Sequence, residues 1–245
     1  MPAINLMLDS GAFPARDKGI KLDRGPYVEF VKKHEPSLWQ YINLDVIPDS
    51  PLKDDCERAA EKSADNQRFM KLCGLSPIPV YHCGESLQWL KQMIDDGEPY
   101  IAVSLSVAKM PPEQKLEMLA EAFAVLKDNP AIVKIHAMGI TAPALLLAQP
   151  WTSADSSTWA LRSGYGQILV PYRDPSGDGY DYSRKPKGLN VGDKSRIEQE
   201  PIEYREHVRR WLIDSGVSRT DETAIAEIAN LPDFRRKALL AYYQP

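Results

Sequence analysis

Residues 77–104 read PIPVYHCGESLQWLKQMIDDGEPYIAVS, and their pattern decides the fold. An apolar, strand-like run at 77–82 gives way to an amphipathic stretch from Glu85 to Asp95, and a second apolar run follows at 99–104. Strand, helix, strand is the repeating unit of a parallel sheet covered by helices. The alternation continues outward on both sides. Strands are expected near 4–8, 39–44 and 132–136, and helices from Asp23 to His34, Asp54 to Cys73 and Pro112 to Asp128. Each helix opens on an acidic residue or a proline, as helix N-termini prefer. Short strands are expected at Thr152–Ala154 and Gln167–Val170, and the C-terminal part reads as helical at 198–214, 221–229 and 232–243.

The expected fold class is therefore α/β, a compact or incomplete TIM (β/α)8-like barrel with a helical C-terminal region. A full barrel takes about 250 residues, whereas this chain of 245 residues also carries a helical tail. A doubly wound sheet would relieve that tension, but no glycine-rich dinucleotide loop follows the first strand. The expected organisation is a barrel-type catalytic domain over residues 1–196, ending in a Tyr/Gly/Pro-rich basic loop at 162–196, and a helical extension over 197–245.

Composition narrows the function classes. With 43% apolar and 26% charged residues, and no run approaching the roughly 18 apolar residues of a membrane span, the chain reads as globular rather than membrane-spanning. The opening MPAINLMLDSG has neither a basic n-region nor a small-residue cleavage site, so a cytoplasmic location is expected. Cys56, Cys73 and Cys83 fit neither a disulfide framework nor a closed zinc site. The net charge of −4 argues against a generally basic surface. Residues 1–161 hold 16 basic against 21 acidic side chains, and 162–245 hold 14 against 13, so nucleic-acid contact is expected in the second part. There, residues 162–196 interleave seven basic side chains with Tyr165, Tyr172, Tyr180 and Tyr182, a composition suited to phosphate and base stacking or simply to a solvated loop.

In a parallel α/β barrel the chemistry gathers just past the C-terminal ends of the strands. Polar groups recur there: Asp9 and Ser10 after the first strand, Asp45 after the second, His82 and Gly84 at the third, His136, Met138 and Gly139 at the fifth, and Asp155 after a strand-like segment. Each has a bland reading. Asp9, Asp45 and Asp155 can shape turns or cap helices, the histidines can be structural, and Met138 can be core. Taken jointly, the carboxylates suit glycosidic chemistry, with one as nucleophile and another moving protons at the leaving and entering groups. A third carboxylate can accept both donors of a guanine Watson–Crick edge. The residues alone reach a barrel enzyme acting on a sugar or nucleoside.

These motifs resemble those of the tRNA-guanine transglycosylases, which exchange guanine for a 7-deazaguanine, and more closely the short phage and bacterial relatives that modify DNA. The family's DSGG(Y/F) signature resembles Asp9-Ser10-Gly11-Ala12-Phe13, its base-recognising Asp matches Asp45, and its VQGG strand end resembles Val80-Tyr81-His82-Cys83-Gly84, with His82 in the place of the Gln. Its GLAVG run resembles Tyr100-Ile101-Ala102-Val103-Ser104, and its MGxG segment resembles His136-Ala137-Met138-Gly139. Its nucleophile motif corresponds to Ser153-Ala154-Asp155 followed by Leu161-Arg162-Ser163-Gly164, where one carboxylate remains.

The resemblance implies Asp155 as nucleophile and Asp9 as general acid/base. It also places Asp45, His82, Phe13, Ser10, Gly84, Met138, Gly139, His136 and Arg162 on the substrate, and it implies no cofactor. The implied partners are a 7-deazaguanine base such as preQ0 and a nucleic acid, in the cytoplasm of a bacterium or of a phage's host. The zinc cysteines of the tRNA-acting members are missing after Cys83, which favours DNA over tRNA. A minimal tRNA enzyme, a free-nucleoside enzyme and a non-catalytic nucleic-acid-binding subunit are the alternatives.

Overall fold

A computed structural model describes residues 5–105, 111–127, 134–140, 142–158, 165, 167–177, 179–181, 184, 186–190 and 199–214. The chain is mixed α/β and divides by compactness into two units, Met1–Ile140 with Ala148–Asp155, and Thr141–Leu147 with Ser156–Pro245. The boundary expected at 196, the helices expected at 221–229 and 232–243, and Arg162 lie outside the described residues.

In the first unit the elements run β1 (Met7–Leu8), α1 (Ala12–Asp17), α2 (Arg24–His34), β2 (Gln40–Tyr41), α3 (Lys53–Leu72), β3 (Val80–His82), α4 (Leu87–Asp95), β4 (Tyr100–Ser104), α5 (Pro112–Lys127), β5 (Lys134–Met138) and β6 (Ser153–Ala154). The short helix α6 (Pro143–Ala148) lies between the last two strands in sequence. Strands β3, β4, β5 and β6 form a parallel four-stranded sheet in that order. The pair β1–β2 is also parallel, and a parallel bridge between Ile42 and Ile78 carries the pairing from the end of β2 to the segment leading into β3.

Register sorts the sheet into two faces, because side chains alternate along a strand and in-register neighbours point the same way. His82, Ser104 and Met138 share one row, and Val80, Ala102, His136 and Ser153 share another two residues back. Tyr81, Ile101, Val103, Ile135 and Ala137 alternate onto the opposite face, and all of them are buried. One face of the sheet is therefore uniformly apolar, and the other mixes apolar with polar groups. On the mixed face, Ile42, Ile78, Val80, Tyr100 and Ala102 form a core cluster on which both Met7 of β1 and Met138 of β5 pack. A second cluster joins Val28 and Val31 of α2 to Tyr41, Leu44, Met70 and Leu75.

The helices follow from pattern and caps. Helix α3 buries Cys56, Ala59, Ala60, Ser63, Gln67 and Met70 at steps of three and four, a stripe along one side of a 20-residue helix. The Asp23 carboxylate accepts from the Gly25 N–H at 3.0 Å and starts α2, and the Ser86 hydroxyl accepts from Gln88 N–H and starts α4. Glu57 buttresses the start of α4, accepting from the Ser86 amide and the Trp89 indole, each at 2.9 Å. No described helix is long and apolar enough to cross a membrane.

The second unit corrects one expectation. The strand expected at Gln167–Val170 is present as β7 and pairs antiparallel with β10 (Lys187–Asn190), a strand not expected in the loop at 162–196, which also carries the antiparallel pair β8 (Tyr172–Arg173) and β9 (Tyr180–Asp181). Tyrosine and β-branched residues favour extended backbone, and Gly177 and Gly179, both at positive φ, supply the turn between β8 and β9. Helix α7 (Ile202–Asp214) follows, burying Val208, Trp211 and Leu212.

Candidate active site

Because β1 to β6 are parallel, their C-terminal ends lie at one edge, and the polar groups of the first unit collect there. Asp9 follows β1 directly, Asp45 follows β2 by a short loop, His82 and Met138 end their strands, and Asp155 follows β6 directly.

Asp45 is 4% exposed, and its surroundings are built to hold it. Its Oδ1 accepts the Ser10 hydroxyl at 2.5 Å, and its Oδ2 lies 3.0 Å from Nε2 of the fully buried His82. Helix α3 fixes the loop on either side: Asn43 Nδ2 donates to the Ser63 carbonyl at 2.9 Å, Val46 N–H to the Ser63 hydroxyl at 2.8 Å, and Asn66 Nδ2 to the Leu44 carbonyl at 2.7 Å. Burial alone would lower the proton affinity of His82, but the hydrogen bond and charge of Asp45, with the nearby charge of Glu85, outweigh it and raise it.

Asp155 is half-exposed and held at one carboxylate oxygen. His136 Nε2 approaches Oδ1 at 3.2 Å, and the Gly139 amide donates to the same atom at 2.9 Å. Gly139 sits at φ 67, the left-handed region that suits glycine and that turns this amide toward Asp155. His136 is buried, its Nδ1 is 2.6 Å from the Ser153 hydroxyl, and that hydroxyl is 2.5 Å from the Tyr100 hydroxyl. An ionised Asp155 takes its hydrogen bond from Nε2–H, and Nδ1 with the Ser153 and Tyr100 hydroxyls extends the chain of hydrogen bonds behind it. Burial raises the Asp155 carboxyl, but the bonds from His136 and Gly139 outweigh it and hold Asp155 below the ordinary carboxylate value.

Asp9 moves the other way. Asp9 is solvent-exposed, yet neighbouring protein takes water away from its carboxyl. That loss of water raises its proton affinity, the charges of Asp45 and Asp155 raise it further, and the Ser10 and Gly11 amides oppose them only in part. Tyr27 sits beside the pair Asp9 and Asp45, whose charges add to burial in raising its phenol, and its hydroxyl donates to the Ile42 carbonyl at 2.7 Å.

The structure thus brings together Asp9, Ser10, Asp45 and His82 on one side and His136, Gly139 and Asp155 on the other, with Asp9 within electrostatic reach of Asp155. Met138 packs on the core cluster beneath. Phe13 is half-exposed on α1, with the Arg16 guanidinium over its ring at 5.0 Å, and Gly84 is exposed at the turn after β3. Ser10 and His82, expected on the substrate, both contact Asp45, and the Ser10 hydroxyl also accepts from the Ala12 amide at 3.1 Å. Tyr100, Ser153, Tyr27 and the α3 side chains that brace Asp45 were not foreseen as site residues. The available signal was Ser153 two residues before Asp155, the strand spacing that puts both on one face.

Glu85 is a further buried carboxyl next to this group. Its Oε2 accepts the His82 amide at 3.2 Å, and its Oε1 is buried without a hydrogen-bond partner among the described residues. Burial pushes it up to about 7, against the opposing influence of His82. Among the described residues no group of His, Cys, Asp and Glu is arranged to hold a metal ion. No protein-family model matches the chain, and no curated protein shows significant similarity to it.

Proposed function

We propose that the chain is a base-exchange transglycosylase that replaces guanine in a nucleic acid, DNA in preference to tRNA, with a 7-deazaguanine such as preQ0. The observation that carries this reading is the set of carboxylates at the strand ends, of which Asp9 is driven toward its protonated form and Asp155 toward its ionised form. Two carboxyl groups whose environments pull their proton affinities apart are what an acid and a nucleophile need. The reading is supported by the motif resemblance and by the buried, braced Asp45.

In this reading the ionised Oδ of Asp155 attacks C1′ of the target nucleotide. The C1′–N9 bond breaks, its electron pair leaves with guanine, and Asp9 protonates the departing base. The incoming deazaguanine then gives its N9 proton to Asp9, bonds to C1′ through N9, and displaces Asp155. Atoms and protons balance over the cycle. Asp45 retains a second lone-pair position on each oxygen beside Ser10 and His82, which is where the N1–H and exocyclic amine of guanine are read. The relay Tyr100–Ser153–His136 sets the orientation of Asp155.

The finer fold belongs to the same proposal. Parallel strands in sequential order, with Met7 and Met138 packing on one cluster, support a compact or incomplete (β/α)8-like barrel whose interior face carries the site. The test is incorporation of labelled guanine or preQ0 into duplex DNA, single-stranded DNA and tRNA, with Asp155→Asn as control. Label entering DNA and reduced by about a thousandfold or more in the variant is expected. Label in tRNA alone moves the substrate, and label in no polymer ends the base-exchange reading.

A further inference from the structure

The site description leaves unused a cleft of about 970 Å³ that runs beside α1, the start of α2 and α3, with Asp45 in its wall. Four cations line it: Arg16 and Lys21 on one side, Arg24 at the first turn of α2, and Lys62 across on α3. Four acids line it as well, so engagement decides which charged groups stay available to a ligand. Asp23 is occupied in capping α2, Asp65 is paired with Arg68, and Asp45 is held by Ser10 and His82. Lys21 and Lys62, by contrast, are exposed and make no ion pair among the described residues, and Arg24 is committed only to stacking over the Phe69 ring at 4.4 Å. Among the described lining acids only Asp49 keeps an unengaged carboxylate. The formal charges of the lining balance, but most of its carboxylates already hold partners while Lys21 and Lys62 keep their donors free for a ligand. Between the cations, Ile20 and Leu22 lie 55% and 38% exposed on its wall, an apolar surface that no described residue of the first unit covers.

Uncommitted cations flanking exposed aliphatic side chains suit a chain that is anionic at regular intervals and apolar between them. We infer that this cleft holds an unpaired stretch of polynucleotide, with phosphates against Lys21, Arg24 and Lys62 and sugar or base faces against Ile20 and Leu22. The inference rests on the base-exchange reading for the role of Asp45, toward which one base of the bound strand turns. It also moves the strand to the first unit, whereas the charge distribution of the sequence points to residues after 161. An unpaired strand fits better than a duplex, since its backbone can follow a cleft while a base is presented to the wall.

The test is anisotropy of a labelled single-stranded oligodeoxynucleotide of about 15 nucleotides titrated with the full chain, without free base, so that the readout does not depend on catalysis. The triple variant K21E/R24E/K62E is expected to bind about tenfold or more weakly at low salt. The slope of log K against log [salt] should become shallower by about 2, the value for three lost phosphate contacts on a single strand. K21Q/K62Q, a milder change, should show a smaller loss in the same direction. K32E/K33E/K91E, which makes the same charge change at exposed positions outside the cleft, should bind within about twofold of the parent. Equal weakening in both triple variants, no change in K21E/R24E/K62E, or no binding by the parent would overturn the inference. Binding through the cleft with no base exchange would leave it standing and end the base-exchange reading; exchange with binding undiminished in the cleft variants would do the reverse.

Discussion

His136 shows how much of the site is decided at the level of single side chains. Its Nε2 and the Gly139 amide converge on one oxygen of Asp155, and together they lower the proton affinity of that carboxyl. His136→Ala removes one of the two donors. Asp155 should then hold its proton to higher pH, and the acid limb of the exchange pH–rate profile should shift upward, because the nucleophile of the proposed exchange is the ionised carboxylate. An unshifted acid limb would mean that Asp155 is not the group titrating there. Glu85 gives the opposite case. Its carboxyl is raised to about 7 in the folded chain, above its ordinary 4.5, so the fold binds its proton more tightly than the unfolded chain does. Stability contributed by that proton is present below about pH 4.5 and lost as pH rises through 7, by on the order of 3 kcal/mol. Glu85→Gln cannot ionise, so the stability difference between variant and parent should grow in the variant's favour between pH 4.5 and 8, as read by urea denaturation. The three strand-end aspartates were legible in the sequence because Asp9 and Asp45 follow apolar runs and Asp155 follows a short strand-like segment. The Tyr100–Ser153–His136 relay was not, because it depends on register between strands far apart in sequence. Nor was the burial of Glu85, which reads as an ordinary acidic helix opener.

Elements hold these residues in place, and their ends matter most. Helix α2 carries Tyr27 to the Ile42 carbonyl and buries Val28 and Val31, and its first turn is secured by Asp23. Asp23→Ala should cost about 1 kcal/mol by urea denaturation, while Asp23→Asn, which keeps an acceptor, should cost much less. Equal losses would mean that the charge of Asp23, rather than the cap, is what counts. The long elements were readable from sequence: the apolar stripe of α3 and the apolar runs of β3 and β4 repeat at the spacing of their secondary structure. The short ones were not. Helix α1 has six residues with Pro14 within it, too few for a period to show, and it starts at Gly11, whose φ of 76 reads in sequence only as a turn. Strands β8 and β9 have two residues each and lie in a stretch whose glycines and prolines signal a loop, so pairing decides them rather than local preference.

At the scale of the whole molecule, the average charge of a segment does not say which of its charged groups stay unpaired. Residues 1–161 are acidic in sum, yet most acids lining the Asp45 cleft are bound to amides, hydroxyls or cations, which leaves its lysines to face solvent. Sequence order could suggest parallel strands with chemistry at their ends, but only the register shows that His82, Met138, His136 and Ser153 share a face. The central claim is that Asp155 carries a nucleotide covalently between departure of one base and entry of the next. Its most direct test is acid-quenched mass spectrometry of the full chain incubated with a guanine-containing oligonucleotide in the absence of an incoming base. The account predicts a protein–nucleotide adduct that maps to the peptide containing Asp155 and is absent in Asp155→Asn. An adduct on Asp9 or any other residue, or exchange that proceeds with no adduct trapped, would contradict it.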